Sequence, residues 1–106
     1  MTEQGERKPA MVRLELMAGE EADAVAEAVA LKTPNATVEA LPGLLSISAP
    51  GRLELDCSAV SEALGRPWDT RQLQVILSNY VGFIARMDEA GVAVEWRDRE
   101  DGGGKG

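Results

Sequence analysis

The alternation of apolar and polar residues near the start of the chain predicts a half-buried β-strand. Between Met11 and Met17 every second residue is apolar and those between are mainly charged. A helix is expected next, because three carboxylates crowd its first turn, where they complement the helix dipole, and Pro34 stops it. The predicted apolar stripe of this helix is narrow and built from small side chains: Ala22, Val25, Ala26 and Val29.

Three short strands and a short helix are predicted to follow. The strands cover residues 37–41, 44–49 and 52–56, and the turns between them fall at Pro42-Gly43 and Pro50-Gly51. The helix covers Ser58 to Leu64 and ends at Gly65, a residue suited to the left-handed cap position.

The clearest helix start signal lies at Asp69. Its side chain can cap the helix, Gln72 completes a variant of the capping box, and Trp68 can pack against Leu73 across the first turn. Apolar residues then recur with helical spacing as far as Gly82, so the pattern predicts one continuous helix. The residues of this apolar face are Leu73, Ile76, Leu77, Tyr80 and Val81.

A hairpin over Phe83 to Met87 and Val92 to Trp96 closes the predicted domain. The element order is then β-α-β-β-β-α-α-β-β, and the short turns favour antiparallel pairing. The sequence thus predicts a compact α+β domain, with three helices and mainly antiparallel strands in one or two small sheets. Residues 11–97 form this domain, and residues 1–10 and the Gly-rich residues 98–106 are expected to be flexible tails. Core positions are expected for the aromatic residues Trp68, Tyr80, Phe83 and Trp96.

The composition excludes several classes of function. A net charge of -7 over 106 residues argues against nucleic-acid binding, and no apolar run approaches the length needed to span a membrane. The chain has no histidine and only Cys57, which removes histidine-dependent triads, an internal disulfide and the usual zinc and iron sites. We therefore expect a protein of the reducing cytoplasm. Its carboxylates Glu54, Asp56 and Glu62 are read as solvated surface groups, and Cys57 as a small buried residue.

One surface of the predicted third helix suits docking on another protein. Opposite the apolar face, helical spacing groups residues that are mostly small and flat, with one exposed valine among them. These residues are Arg71, Val75, Ser78, Asn79 and Gly82.

The central part of the chain resembles a known family. The resemblance rests on Leu55-Asp56-Cys57, on Ser61 to Asp69 with its Glu-Ala-Leu-Gly-Arg-Pro-Trp-Asp run, and on Ser78 to Gly82. In this order they are similar to the core signature of the methane monooxygenase regulatory component and phenol hydroxylase P2 family, which includes the toluene monooxygenase effectors. The similarity extends over about Val12 to Trp96.

The resemblance implies a regulatory protein that has no cofactor and is not itself an enzyme. Such effectors dock on a diiron hydroxylase and tune oxygen activation, substrate entry and coupling to NADH consumption. It further implies that the partner-facing residues are the loop Thr33, Pro34, Asn35 and Ala36 together with Ser78 and Asn79, and Arg66 could pair with a carboxylate of the hydroxylase. We expect the free protein to be a monomer. Two alternatives remain open, namely a small-molecule-binding regulatory domain and a carboxylate-dependent enzyme.

Overall fold

The computed structural model describes residues 10–97, and the two expected tails lie outside this range apart from Ala10. The described residues form seven strands and three helices. In chain order these are β1 Met11–Met17, α1 Glu20–Lys32, β2 Thr37–Leu41, β3 Leu44–Pro50, β4 Arg52–Asp56, α2 Cys57–Leu64, α3 Thr70–Ile76, β5 Leu77–Val81, β6 Phe83–Asp88 and β7 Gly91–Glu95.

The strands form two antiparallel sheets within the described range. One sheet has four strands in the order β2-β3-β1-β5, and the other has three in the order β4-β7-β6. The chain passes from the first sheet to the second twice, at Gly51 between β3 and β4 and at Gly82 between β5 and β6. The α+β class, the antiparallel pairing and the number of helices are confirmed, with one strand more than the sequence predicted.

The core lies between the inner faces of the two sheets and helix α1. Alternate residues of β1 point inward, as predicted, and alternate residues of β4 and β7 meet them from the second sheet. The small stripe of α1 is also confirmed, except that Ala26 is only partly buried. The buried residues of these four elements are Val12, Leu14, Leu16, Ala22, Ala24, Val25, Ala28, Val29, Leu53, Leu55, Val92, Ala93 and Val94.

The extent of the third helix was predicted wrongly. Helix α3 ends at Ile76, and the next five residues form β5, which pairs with β1 so that Tyr80 lies opposite Leu14. The register shifts between Glu15 and Leu16, which leaves Ser78 as the extra residue of a β-bulge. Without β5 the backbone of β1 would have an unpaired edge beside the core, so the ladder hydrogen bonds of this edge outweigh the helical spacing of the side chains.

Three of the four aromatic residues lie outside the core. Trp68 is buried as predicted, whereas Tyr80, Phe83 and Trp96 are 42%, 45% and 47% exposed. Tyr80 lies on an edge strand and Trp96 lies just beyond the last residue of β7. The guanidinium of Arg97 lies over the ring of Phe83, 3.8 Å from the ring centroid. This cation–π contact stabilises the aromatic ring although it is not buried.

Gly82 forms a corner that no other residue fits. Its φ of 129° is rarely adopted by residues with a side chain, and a Cβ atom there would lie 2.7 Å from Val94 Cγ1 and 3.2 Å from the backbone oxygen of Glu95. Gly65, the left-handed cap of α2, has a φ of 77°, but a Cβ atom there would meet no other atom within 4 Å. A side chain at Gly65 would cause backbone strain alone, whereas a side chain at Gly82 would cause both backbone strain and steric overlap.

We expect Gly82→Ala to lower the free energy of unfolding by about 2–4 kcal/mol, since backbone strain and overpacking add. The matched change Gly65→Ala should lower it by about 1 kcal/mol, from strain alone. Urea denaturation followed by circular dichroism measures both. Equal losses for the two variants would contradict the close packing at the corner.

Candidate partner-binding site

The segment between α2 and α3 is tied down by its own side chains. The Ser61 hydroxyl accepts a hydrogen bond from the Trp68 N–H at 2.9 Å, and it lies 3.1 Å from the backbone oxygens of Cys57 and Trp68, to which it can donate. Gly65 and Arg66 both donate their N–H groups to the Ser61 oxygen of the main chain. This part of the family-like signature therefore closes a compact turn between two helices.

The same segment is fastened to the first turn of α1. The indole N–H of Trp68 donates to Glu21 Oε1 at 3.0 Å, and the Arg66 guanidinium pairs with Glu21 at 3.5 Å and with Glu20 at 3.9 Å. Arg66 therefore has carboxylate partners within the chain. Its suggested pairing with a carboxylate of another protein stays a prediction.

Helix α3 begins as the sequence predicts. Asp69 accepts from the Arg71 N–H at 3.0 Å, and the Gln72 side chain accepts from the Asp69 N–H at 3.1 Å, which completes the capping box. The hydrogen bond from the Arg71 side chain lowers the pKa of Asp69, and the same contact raises the pKa of Arg71. The Arg71 side chain is 86% exposed, so it is available to a partner.

The predicted helical docking face does not exist as one face, because residues after Ile76 are not helical. Val75 is 72% exposed on the last turn of α3, and Ser78 and Asn79 are exposed on β5. They remain close along the chain, and the side chains of all three are open to solvent. Gly82 is half-buried at the corner, so its predicted partner role cannot be separated from its requirement for the fold.

The cross-strand register places Asn79 on the solvent side of the four-stranded sheet, which we call the outer sheet face. Asn79 lies opposite Glu15, Glu15 opposite Ser46, and Ser46 opposite Glu39, so one polar row crosses all four strands. A second row contains Val81, Arg13, Ser48 and Thr37. The face is shallow at its centre, where β3 contributes the small side chains of Ser46, which is buried, and Ser48. A third row, made of Met17, Leu44 and Leu41, is apolar.

The other predicted partner segment lies at the opposite edge of this sheet. Pro34 and Asn35 are exposed and Ala36 is half-buried, directly before β2. Thr33 is buried, and its hydroxyl accepts from the Glu54 N–H at 3.1 Å, which ties the end of α1 to β4. Strands lie about 4.8 Å apart, so β2 and β5 are separated by roughly 14 Å. The outer sheet face joins the two predicted segments.

Sequence reasoning missed the contribution of this face. The alternation in β1 marked Arg13 and Glu15 as outward-facing, but their neighbours across the sheet depend on the strand order. Placing Asn79 beside Glu15 requires both the strand assignment of β5 and its register with β1. The helical spacing instead directed Asn79 to a surface shared with Arg71 and Val75.

Cys57 and the acidic side chains are among the described groups that could ligate a metal or react. Within residues 10–97 no group of three or more His, Cys, Asp and Glu side chains could hold a metal ion. Burial raises the pKa of the Cys57 thiol to about 11, with nearby carboxylates adding to the shift, so it stays protonated at neutral pH. Glu54 lies 3.7 Å from Arg52 and 3.9 Å from Arg86 in a surface ion-pair network, as expected of a solvated carboxylate.

Three of the open clefts in the described part of the chain have volumes of about 210, 250 and 440 Å³. All are lined largely by alanines and carboxylates around helix α1, and they lack a convergent set of hydrogen-bonding groups. No helix in residues 10–97 is long and apolar enough to cross a lipid bilayer. The outer sheet face with its two flanking segments is therefore the best candidate for a functional surface.

Comparison with known proteins gives two similar sequences. The chain is 34% identical over 74 residues to the stimulatory component DmpM of phenol 2-monooxygenase from Pseudomonas sp. (strain CF600), covering 70% of this chain and 81% of that protein. It is 36% identical over 76 residues to methane monooxygenase regulatory protein B from Methylosinus trichosporium, covering 67% of this chain and 55% of the longer relative.

Solved structures show the same relationship. A chain in the structure of a phenol hydroxylase–regulatory protein complex matches with a TM-score of 0.74 at 25% identity, over 83% of this chain and 100% of that one. The soluble methane monooxygenase regulatory protein B matches with a TM-score of 0.63 at 26% identity, over 82% of this chain and 65% of that one. The model of the MmoB/DmpM family matches residues 10–95. The chain belongs to the MmoB/DmpM family.

Proposed function

We propose that this protein is a non-catalytic regulatory component that binds the diiron hydroxylase of a multicomponent monooxygenase. The observation that supports it most is the match of the whole described domain to a chain from a phenol hydroxylase–regulatory protein complex. The relatives are named stimulatory and regulatory components. A component of this kind needs a docking surface and no reaction centre of its own, and the outer sheet face is such a surface.

The physical mechanism is a shift of population between states of the hydroxylase. A protein that binds one state more tightly stabilises it by the difference between the two binding free energies. Oxygen activation, substrate access and coupling to NADH oxidation then change together, because they depend on the same state. Docking on a shallow face of polar and apolar rows suits this role, since it needs no rearrangement of the regulatory domain.

The negative charge supports association with a partner, and the free cysteine supports a cytoplasmic location. The chain carries a net charge of -7, which would steer it towards a basic surface and make the rate of association fall with added salt. Its single cysteine is buried and unpaired by any disulfide, as is usual in a reducing compartment. A partner system that consumes NADH would be found in the same compartment.

Reconstituted turnover tests this function. The cognate hydroxylase and electron-transfer components are mixed with NADH and substrate, and the protein is titrated in while product and NADH are both measured. We expect product per NADH to rise and to saturate near one regulatory protein per hydroxylase active site. A flat response with a hydroxylase that is active under other conditions would overturn the proposal, as would turnover by this protein alone.

A further inference from the structure

Strand β2 has a free edge that is open to solvent. All five residues of Thr37–Leu41 are exposed, and β2 borders only β3 in the order of the sheet. Val38 is 46% exposed and Leu41 is 38% exposed, on opposite faces of the strand. The strand contains no lysine or proline, residues that commonly prevent an exposed edge from pairing with another chain.

The hairpin turn shows which backbone groups face outward. Leu41 and Leu44 flank the two-residue turn Pro42-Gly43, so they form a hydrogen-bonded pair. The residues of β2 that pair in this way alternate, and Thr37, Glu39 and Leu41 therefore direct their N–H and C=O groups towards β3. Val38 and Ala40 direct theirs away from the sheet, where they can pair with another strand.

The segment around Val38 is complementary to itself. Read outward from Val38, the neighbours are Thr37 and Glu39, and then Ala36 and Ala40. Antiparallel pairing of two copies centred on Val38 sets valine against valine, threonine against glutamate and alanine against alanine. A threonine hydroxyl can donate to the opposing carboxylate, and no two like charges face each other.

The outward backbone groups fit the same register. Val38 of each copy exchanges hydrogen bonds with Val38 of the other, and the Ala40 N–H donates to the Ala36 C=O. The Ala36 N–H is already donated to the Thr33 oxygen at 3.0 Å, so only its carbonyl is needed. A register centred on Glu39 would instead set two carboxylates opposite each other and is disfavoured.

We propose that β2 is a self-association surface, through which two copies join their four-stranded sheets into one continuous sheet. Pairing of one short strand buries much less than the roughly 1,200 Å² of a stable interface, so the dimer is weak. The two net charges of -7 also repel, and the monomer expected from the sequence is therefore the main form in dilute solution. The proposal concerns the free protein and does not depend on a hydroxylase.

Sedimentation equilibrium over a range of concentrations tests the proposal. We expect the average mass to rise from one chain towards two as protein concentration approaches about 1 mM, and to rise further at about 0.5 M salt, where repulsion is screened. Amide exchange should slow with concentration at Val38 and Ala40. The amide of Glu39, which already pairs with β3, should not respond.

Val38→Lys sets two cations opposite each other and should raise the dimer dissociation constant by about tenfold or more. Val75→Lys makes the same change of charge at an apolar side chain that is 72% exposed on α3, and it should leave dissociation unchanged. A mass of one chain at every concentration and salt would overturn the proposal. So would a dimer weakened equally by both variants, because β2 would then not be the interface.

Discussion

Trp68→Ala is expected to lower the free energy of unfolding by about 3–5 kcal/mol, the usual loss when a buried tryptophan is truncated. The side chain is 4% exposed, packs in the core cluster, and donates its indole N–H to Glu21. A domain of this size has about 5–15 kcal/mol of stability in total, so the variant should melt at a much lower temperature or fail to fold at ambient temperature.

The other tryptophan is the matched control, because the chain has two. Trp96 is 47% exposed and lies beyond β7, so Trp96→Ala should cost about 1 kcal/mol or less. Trp68→Phe keeps most of the packing but removes the indole N–H that donates to Glu21. It should therefore lower the free energy of unfolding by an intermediate amount, about 1–2 kcal/mol. Urea denaturation of the three variants ranks their losses of unfolding free energy. A larger loss for Trp96→Ala than for Trp68→Ala would contradict the prediction.

Trp68 belongs to a run of the family signature whose contacts lie within the chain itself. Ser61, Gly65, Arg66 and Trp68 contact one another or the first turn of α1, and none of these contacts needs a second protein. This run of the signature therefore maintains the relative positions of α1, α2 and α3. The residues open to a partner are the neighbouring Arg71 and the segment that follows α3.

Local sequence signals correctly predicted helix ends and turns that are determined by a few adjacent residues. The capping box at Asp69, the glycine cap at Gly65 and the turn at Pro42-Gly43 are all determined within a few residues, and all were predicted correctly. The alternation in β1 was also sufficient, because only one face of that strand is buried.

The segment after Ile76 could not be predicted in the same way. Ile76, Leu77 and Tyr80 have the spacing of a helical face, but this segment also pairs with β1, a strand about 60 residues earlier in the chain. Long-range pairing of this kind leaves no mark in a local window. Because this segment was predicted as helix, Ser78 and Asn79 were assigned to a helical surface, whereas they lie at the edge of the outer sheet face.

Asn79→Lys is expected to weaken stimulation of the hydroxylase strongly while leaving the fold intact. A long charged side chain on a shallow docking face obstructs close contact, and the half-saturating concentration in the turnover titration should rise by about tenfold or more. The fold should tolerate the change, because Asn79 is exposed and lies opposite Glu15, with which a lysine can form a cross-strand pair.

Ala30→Lys provides the same change of charge on the exposed side of α1, away from the outer sheet face. It should leave both the titration and the melting temperature near those of the unchanged protein, because lysine near the end of a helix is favourable. If both variants weaken stimulation equally, net charge and not the outer sheet face governs binding. If neither does, the partner docks elsewhere, and the exposed loop at Pro34 and Asn35 becomes the next surface to vary. A loss confined to Asn79→Lys, with its melting temperature unchanged, would mean that β5 contacts the hydroxylase directly, since both variants change the net charge by the same amount.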